Sequence, residues 1–261
     1  MWLDDASLSR RELVLTRPYV NTAGFMDFYP DAKYSCLWQQ LGAFITNPIS
    51  YRSRKPAENR ACLSYPGGVL LHTGLPNPGF EVVLKRYALR WSRSALPIIV
   101  HLMAEEPGTV SYMTRRLETC ENVVAIELGF APGMEKDEIE TLIYAAQCEL
   151  PLVTSLSLKQ AALMATRLAD LPLAMLHLGD IRGMLAGAGD SLIAGRLYGP
   201  ALLPQAIECV TTYADSGIEI MAGGGVYSKA DVEGLLKAGA KIVALDTLLW
   251  FGDGNCGDLF S

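Results

Sequence analysis

The chain contains no apolar run approaching the ~20 residues that a membrane-spanning helix needs, so no membrane partner is expected. It lacks any basic stripe and any interleaving of basic with aromatic residues. With a formal net charge of -6, that argues against a nucleic-acid partner. The opening residues, Met1-Trp-Leu-Asp-Asp, lack the basic and apolar regions of a signal peptide. Six cysteines, at 36, 62, 120, 148, 209 and 256, include no CxxC pair. They read as reduced thiols of a cytoplasmic protein. There are only three histidines, with no HxH or HxxxH spacing, so no metal site is expected. Charged residues make up 19% of the 261 positions against 50% hydrophobic, an apolar balance suited to buried parallel strands.

What is present is a regular alternation. Strand-like apolar runs at 97–102, 123–128, 152–155, 173–178, 218–222 and 242–245 are separated by helix-like segments at 110–120, 136–147, 158–168, 203–216 and 229–238. Upstream, 13–16 and 19–22 read as a short hairpin or strand leading to Ala23-Gly24, 33–41 as a first helix and 43–46 as a short buried strand. Residues 48–78 break into Pro, Gly, Arg and Asn and are expected to form a long loop, functional or inserted. Asn77-Pro78-Gly79 then opens a helix with Phe80, Val83, Leu84, Tyr87 and Trp91 on one face. Strands alternating with helices predict a parallel sheet, and eight of them predict a closed (β/α)8 TIM barrel, an α/β fold in one domain over 1–261. A doubly wound sheet would carry its glycine fingerprint after the first strand, not near the end.

The glycines come late. Gly195-Arg-Leu-Tyr-Gly-Pro-Ala201 reads as a glycine-bounded loop leading into the 203–216 helix. The run 218–222 ends in Gly223-Gly224-Gly225, and Ser228 opens the next helix. An apolar run, a glycine turn and a capped helix make the layout of a phosphate site, because glycine lets backbone N–H groups approach an anion at a helix N-terminus. The plainer reading is that the glycines only turn the chain. A second such unit follows, 240–245 and then Asp246-Thr247, as in the last part of a barrel where phosphates commonly sit.

These pieces resemble the dihydroorotate dehydrogenase family of FMN-dependent barrels. Leu41-Gly-Ala-Phe-Ile-Thr46 is similar to that family's second strand, and Val20-Asn-Thr-Ala-Gly24 to the segment beneath its flavin. Pro66 to Gly79, ending in Gly-Leu-Pro-Asn-Pro-Gly, resembles its proline-glycine loop. Gly195 to Ala201 resembles its G-x-x-G-P-A motif, and Gly224-Gly225 its phosphate glycines. The resemblance implies FMN, held by Thr22, Ala23, Gly24, Thr46, Asn47, Gly195, Gly199, Gly224, Gly225, Asp246 and Thr247. The flavin ring would lie over Ala23-Gly24, with the phosphate on Gly224, Gly225 and Thr247. The resemblance also favours a homodimer.

The departures are concentrated where that family does its chemistry. Its lysine after the second strand is Asn47 here, and the asparagine of its proline-glycine loop is Leu71. Its fourth-strand motif, E-L-N-x-S-C-P-N or close to it, reads Glu127-Leu-Gly-Phe-Ala-Pro-Gly-Met134, without either asparagine or the Cys or Ser base. The fifth strand ends in Thr154-Ser155 in place of a lysine, and Leu178-Gly-Asp-Ile-Arg182 replaces an N-S pair. Each lost partner of a buried polar ligand costs about 1–3 kcal/mol, so orotate affinity and dihydroorotate oxidation are not expected.

His72, His101 and His177 all fall in or just after strands, and with Glu127 they are candidates for a metal or acid–base cluster, although no close-spaced ligand pair backs the metal. The alternative is that His101 and His177 point out to the helix layer and are merely hydrogen-bonded there. Asp180 and Arg182 read either as ligand contacts at the mouth or as a solvated loop pair. Arg52, Arg54, Lys55 and Arg60 make the proline-rich loop basic, as a solvated lid or dimer contact. Asp246 stands where the family has a phosphate-facing glycine; it either repels a phosphate or caps the next helix. The resulting expectation is an FMN oxidoreductase acting on a small molecule other than dihydroorotate. Two alternatives stay open: a barrel that has lost flavin and catalysis and serves as a binding or subunit protein, and a flavin-free enzyme on a phosphorylated small molecule.

Overall fold

A computed structural model describes residues 11–24, 26–31 and 35–251. Cys256, the first five residues and the start of the expected 33–41 helix lie outside these. Eight parallel strands form one sheet: β1 (Tyr19–Asn21), β2 (Phe44–Ile45), β5 (Ile98–Met103), β6 (Val123–Gly129), β7 (Leu152–Leu156), β8 (Met175–Leu178), β11 (Glu219–Gly223) and β12 (Ile242–Leu245). Each pairs with the next in chain order, β12 returns to β1, and a parallel bridge from Val20 to Ala43 joins β1 to β2 and rounds the sheet into a barrel. Helices α1 (Ser35–Trp38), α2 (Phe80–Ser92), α3 (Pro107–Leu117), α4 (Lys136–Ala145), α5 (Leu158–Met164), α6 (Leu203–Tyr213), α7 (Lys229–Ala238) and α8 (Thr247–Phe251) follow the barrel strands. The sequence alternation is therefore realised as a (β/α)8 barrel.

Two hydrophobic layers hold it. Alternate strand residues turn inward, so Val20, Ala43, Ile45, Ile99, Ala125, Val153, Met175, Met221 and Ala244 fill the barrel axis. The other phase of each strand packs on the apolar stripes of the helices. One such stripe is α2's Phe80, Val83, Leu84, Tyr87 and Trp91, the set expected from spacing. Local signals agree with this packing: Ser228 caps α7 and exchanges hydrogen bonds with Asp231, and Gly239 ends the helix at φ 120°.

Three expectations are corrected. Residues 13–16 form no strand, so of the hairpin-or-strand alternatives only the strand is realised, as β1. The 48–78 stretch is not merely a loop: it holds β3 (Ala61–Tyr65) and β4 (Gly68–His72), joined at Pro66-Gly67, with Gly67 at φ 93°. The Gly195 to Tyr198 part of the glycine-bounded stretch is likewise strand, the end of β10 (Leu192–Tyr198), which pairs back on β9 (Arg182–Ala186). These insertions, about 110 residues apart in sequence, join as an antiparallel sheet in the order β3-β4-β10-β9. Gly195 lacks the Cβ that would meet the Leu71 carbonyl oxygen of β4, which is why that pairing can close. The cap so formed stands at the C-terminal ends of the barrel strands. Among the described residues, no helix is long and apolar enough to cross a membrane. Cys62, Cys120, Cys148 and Cys209 are free thiols.

Candidate functional site

The inward phase that places Ile99, Ala125, Val153 and Met175 in the barrel core continues two residues further along each strand, to His101, Glu127, Ser155 and His177. In register, His101 faces Glu127 across β5 and β6, and Ser155 faces His177 across β7 and β8. The histidines therefore point into the barrel, and the alternative that turned them to the helix layer is corrected. His101 Nδ1 lies 2.5 Å from Glu127 Oε2, and His177 Nδ1 is hydrogen-bonded to Glu127 Oε1. All three are buried, Glu127 completely. Burial pushes the Glu127 carboxyl up, but the His177 and His101 rings on its two oxygens outweigh this and hold it well below the ordinary range. An ionised carboxylate only accepts, so the hydrogen bonds place a proton on Nδ1 of each ring, and Nε2 is the nitrogen that Glu127 does not engage.

Two glycines make room for these rings. A Cβ at Gly129 would overlap His101 Nε2, and one at Gly179 would lie 2.8 Å from His177 Nε2. The positions where the resemblance leads one to expect asparagine, at 129 and in the segment after β8, are thus the ones the imidazoles need empty. His101 N–H is also held by Thr46 Oγ1 at 3.0 Å.

Above the carboxylate–imidazole cluster lies a cavity of about 390 Å³ between the barrel mouth and the cap, with His101, Gly129, Ser155, Asp180, Arg182 and Arg196 in its wall. Arg196 comes from β10; its Nε binds Asp180 Oδ1 at 2.6 Å, and one terminal nitrogen binds the Ala23 carbonyl oxygen at 2.6 Å. Arg182 reaches the other Asp180 oxygen at 3.3 Å. Burial works against ionisation of Asp180, yet Arg196 and then Arg182 hold its carboxyl below the ordinary aspartate range. Asp180 and Arg182 are thus ion-paired and both line the cavity, Asp180 with its side chain only 17% exposed and Arg182 open to solvent at the start of β9. Arg196 was missed as a site residue; its only sequence signal is a charge inside a glycine-bounded apolar strand. His72 stands on β4 in the cap, bonded to Asn59 at 3.1 Å, and does not join the Glu127 cluster. Among the described residues no group of three or more His, Cys, Asp or Glu could hold a metal ion.

The residues expected around FMN are close together, but their own partners occupy them. Gly24 N–H binds Asn47 Oδ1 at 3.2 Å, and the Arg196 guanidinium lies over Ala23-Gly24, where the flavin ring would rest. Thr22 bonds back to Leu245, and Gly199 N–H binds Thr247 Oγ1 at 3.2 Å. Gly224 and Gly225 have φ of 107° and 84°; a Cβ on the first would press on Ile181 and one on the second would overlap the Leu203 backbone. Asp246 decides the phosphate site. Its buried carboxylate accepts from Thr247 N–H at 2.5 Å and lies near enough to Gly225 N–H to be stabilised by it, two of the amides expected to hold the phosphate. Burial raises its carboxyl above the ordinary value against those two N–H groups and Arg196. Asp246 thus caps α8 and, by the same contacts, fills the anion cradle. A phosphate dianion placed there would face a buried carboxylate, and a flavin ring would have to displace an ion-paired arginine. As built, these residues do not fit FMN.

No family model matches the chain. It is 25% identical over 259 residues to a putative dihydroorotate dehydrogenase A (fumarate) of Aeropyrum pernix, covering 92% of this chain and 84% of that protein. The catalytic subunits of dihydroorotate dehydrogenase B (NAD(+)) from Desulforudis audaxviator and Pelobacter propionicus are each 25% identical over 265 residues, covering 93% of this chain and 84% and 87% of theirs.

Proposed function

Because the chain is a divergent member of the dihydroorotate dehydrogenase family, we propose that it is a barrel of that oxidoreductase lineage that works without FMN and takes a small anionic molecule into its mouth. One observation carries this reading: Asp246 lies on the Gly225 and Thr247 amides, where the resemblance would put the phosphate. A carboxylate ~4 Å from a phosphate charge costs roughly 1 kcal/mol in water and several times that when buried. Arg196 supports the same reading from the ring side of the site, and its positive charge is what makes the remaining cavity suit an anion. Dihydroorotate is not the expected ligand, since Asn47, Leu71, Gly129 and Pro132 replace the groups that the resemblance would require.

The second reading, an FMN oxidoreductase acting on another substrate, is favoured by the relatives' names and by the retained Gly195, Gly199, Gly224 and Gly225. Purification and an FMN titration separate the two. The flavin-free reading expects a colourless protein that takes up no FMN, and an Asp246→Gly variant that binds FMN at least tenfold more tightly, the equivalent of ~1.4 kcal/mol of repulsion removed. A protein purified yellow with stoichiometric FMN would establish the second reading instead.

A further inference from the structure

Resting on the flavin-free reading, we propose that the barrel mouth is a proton-transfer site for a small carboxylate. The ligand's carboxylate docks on Arg196 and Arg182, and His101 Nε2 takes a proton from the carbon beside its carbonyl group. Four observations lead here. Two guanidiniums share the single carboxylate of Asp180, which leaves one positive charge on that wall of the cavity and suits a monocarboxylate. His101 Nδ1 is committed to Glu127, so Nε2 is the ring nitrogen free to meet a ligand in the cavity that His101 lines, with Gly129 leaving it clear. Glu127 stays ionised beneath both rings, so an imidazolium formed at His101 is neutralised where it forms, the role a buried carboxylate plays behind a catalytic histidine. Finally, His177 Nε2, on a residue only 3% exposed, has no hydrogen-bond partner among the described residues and faces a niche lined by Thr22, Ser155 and Arg196.

The chemistry needs no oxidant. The C–H bond beside the carbonyl breaks and an N–H bond forms at His101 Nε2. The electron pair moves into the carbonyl, giving an enolate, while the proton taken up leaves an imidazolium on His101 that Glu127 neutralises. Return of a proton from His101 to the same carbon completes an exchange with solvent hydrogen. His101 is the catalytic residue; Glu127 and His177 are positioning residues.

The test uses the whole chain with pyruvate as the probe, in D2O, reading loss of the methyl signal by proton NMR. The wild-type protein is expected to exchange the methyl protons well above the buffer rate. His101→Gln should lose roughly 100-fold or more of that rate, the lower end for a positioned general base. Arg196→Met should raise the half-saturating pyruvate concentration at least tenfold. Glu127→Gln should lower the rate at saturation and leave half-saturation unchanged, a split that a merely unfolded variant would not give. Wild-type exchange no faster than buffer, or exchange indifferent to His101→Gln in a folded variant, overturns the proposal. Because the wild-type measurement alone can overturn it, misfolding of a variant does not shelter it. A colourless protein without exchange would sink this inference and leave the flavin-free reading standing. Uptake of FMN would sink both.

Discussion

Gly129 and Gly179 matter for what they leave out. Each stands where a side chain would strike an imidazole, so histidine at 101 and 177 and glycine at 129 and 179 form one arrangement. Gly129→Ala should push the His101 ring off the Glu127 carboxylate. The expected loss is about 1–3 kcal/mol, the usual penalty of overpacking a filled interior, read as a lower urea midpoint at unchanged slope. An unchanged midpoint would mean that the ring has free space after all. The carboxylates predict opposite pH effects. Glu127 is held below its ordinary 4.5, so its contribution to stability is present above that value and is lost as pH falls toward the folded value. Asp246 is raised above its ordinary 3.8, so it favours folding at low pH and that advantage disappears as pH rises through the raised value. Relative to wild type, Asp246→Asn should therefore gain stability between acid and neutral pH, by about 1.4 kcal/mol for each unit by which the folded value exceeds the unfolded one. Denaturant melts across that range check the sign, and a relative loss toward neutrality would contradict it.

At the scale of elements, the site depends on strand β10 as much as on the barrel. β10 supplies Arg196, pairs with β4 on one side and β9 on the other, and ends at Gly199, whose N–H is tied to Thr247 at the start of α8. Gly199 has φ 149°, and a Cβ there would overlap the Gly67 carbonyl oxygen in the β3–β4 turn. Gly199→Ala should therefore loosen the cap before it touches the barrel. Hydrogen exchange should rise at 61–72 and 192–198 and stay unchanged at 98–103; a uniform rise would show that cap and barrel open as one. Helix α7 offers a control remote from the mouth. Ser228→Ala removes the side chain that accepts from Asp231 N–H, at a cost of about 1 kcal/mol in thermal or urea unfolding.

The whole molecule divides into a barrel whose strands are buried on both faces and a cap whose strands alternate with solvent. Strands β5 to β8 are almost wholly buried, whereas β3 and β9 expose every second residue and stand at the edges of their sheet. Strands with few buried contacts open at lower free energy, so native-state exchange should be fastest in β3 and β9 and slowest in β5 to β8. Equal protection across the two sheets would argue that the cap is locked to the barrel.

The sequence by itself determined the barrel. Eight apolar runs separated by helical stripes leave a parallel closed sheet as the economical way to bury both faces of each strand, and strand and helix boundaries were legible to within a few residues. The cap was not read, although its signals were present: Ala61–Tyr65 and Gly68–His72 flank a Pro-Gly turn, and the 187–191 turn separates Arg182–Ala186 from Leu192–Tyr198. Short strands that alternate with solvent carry little apolar weight, and their pairing across some 120 residues has no local signature. The site was half legible. Glu127, His101 and His177 could be named because they fall at strand ends, yet which way the rings turned depended on the register of β5, β6 and β8 with the inner core, which spacing within one strand cannot fix. The placement of Asp246 and Arg196 was decided by tertiary structure alone. Asp246 is a plausible helix cap in sequence, and only the fold brings Gly225 and Thr247 onto one carboxylate and Arg196 across to Ala23, because those contacts join segments that meet only when the barrel closes.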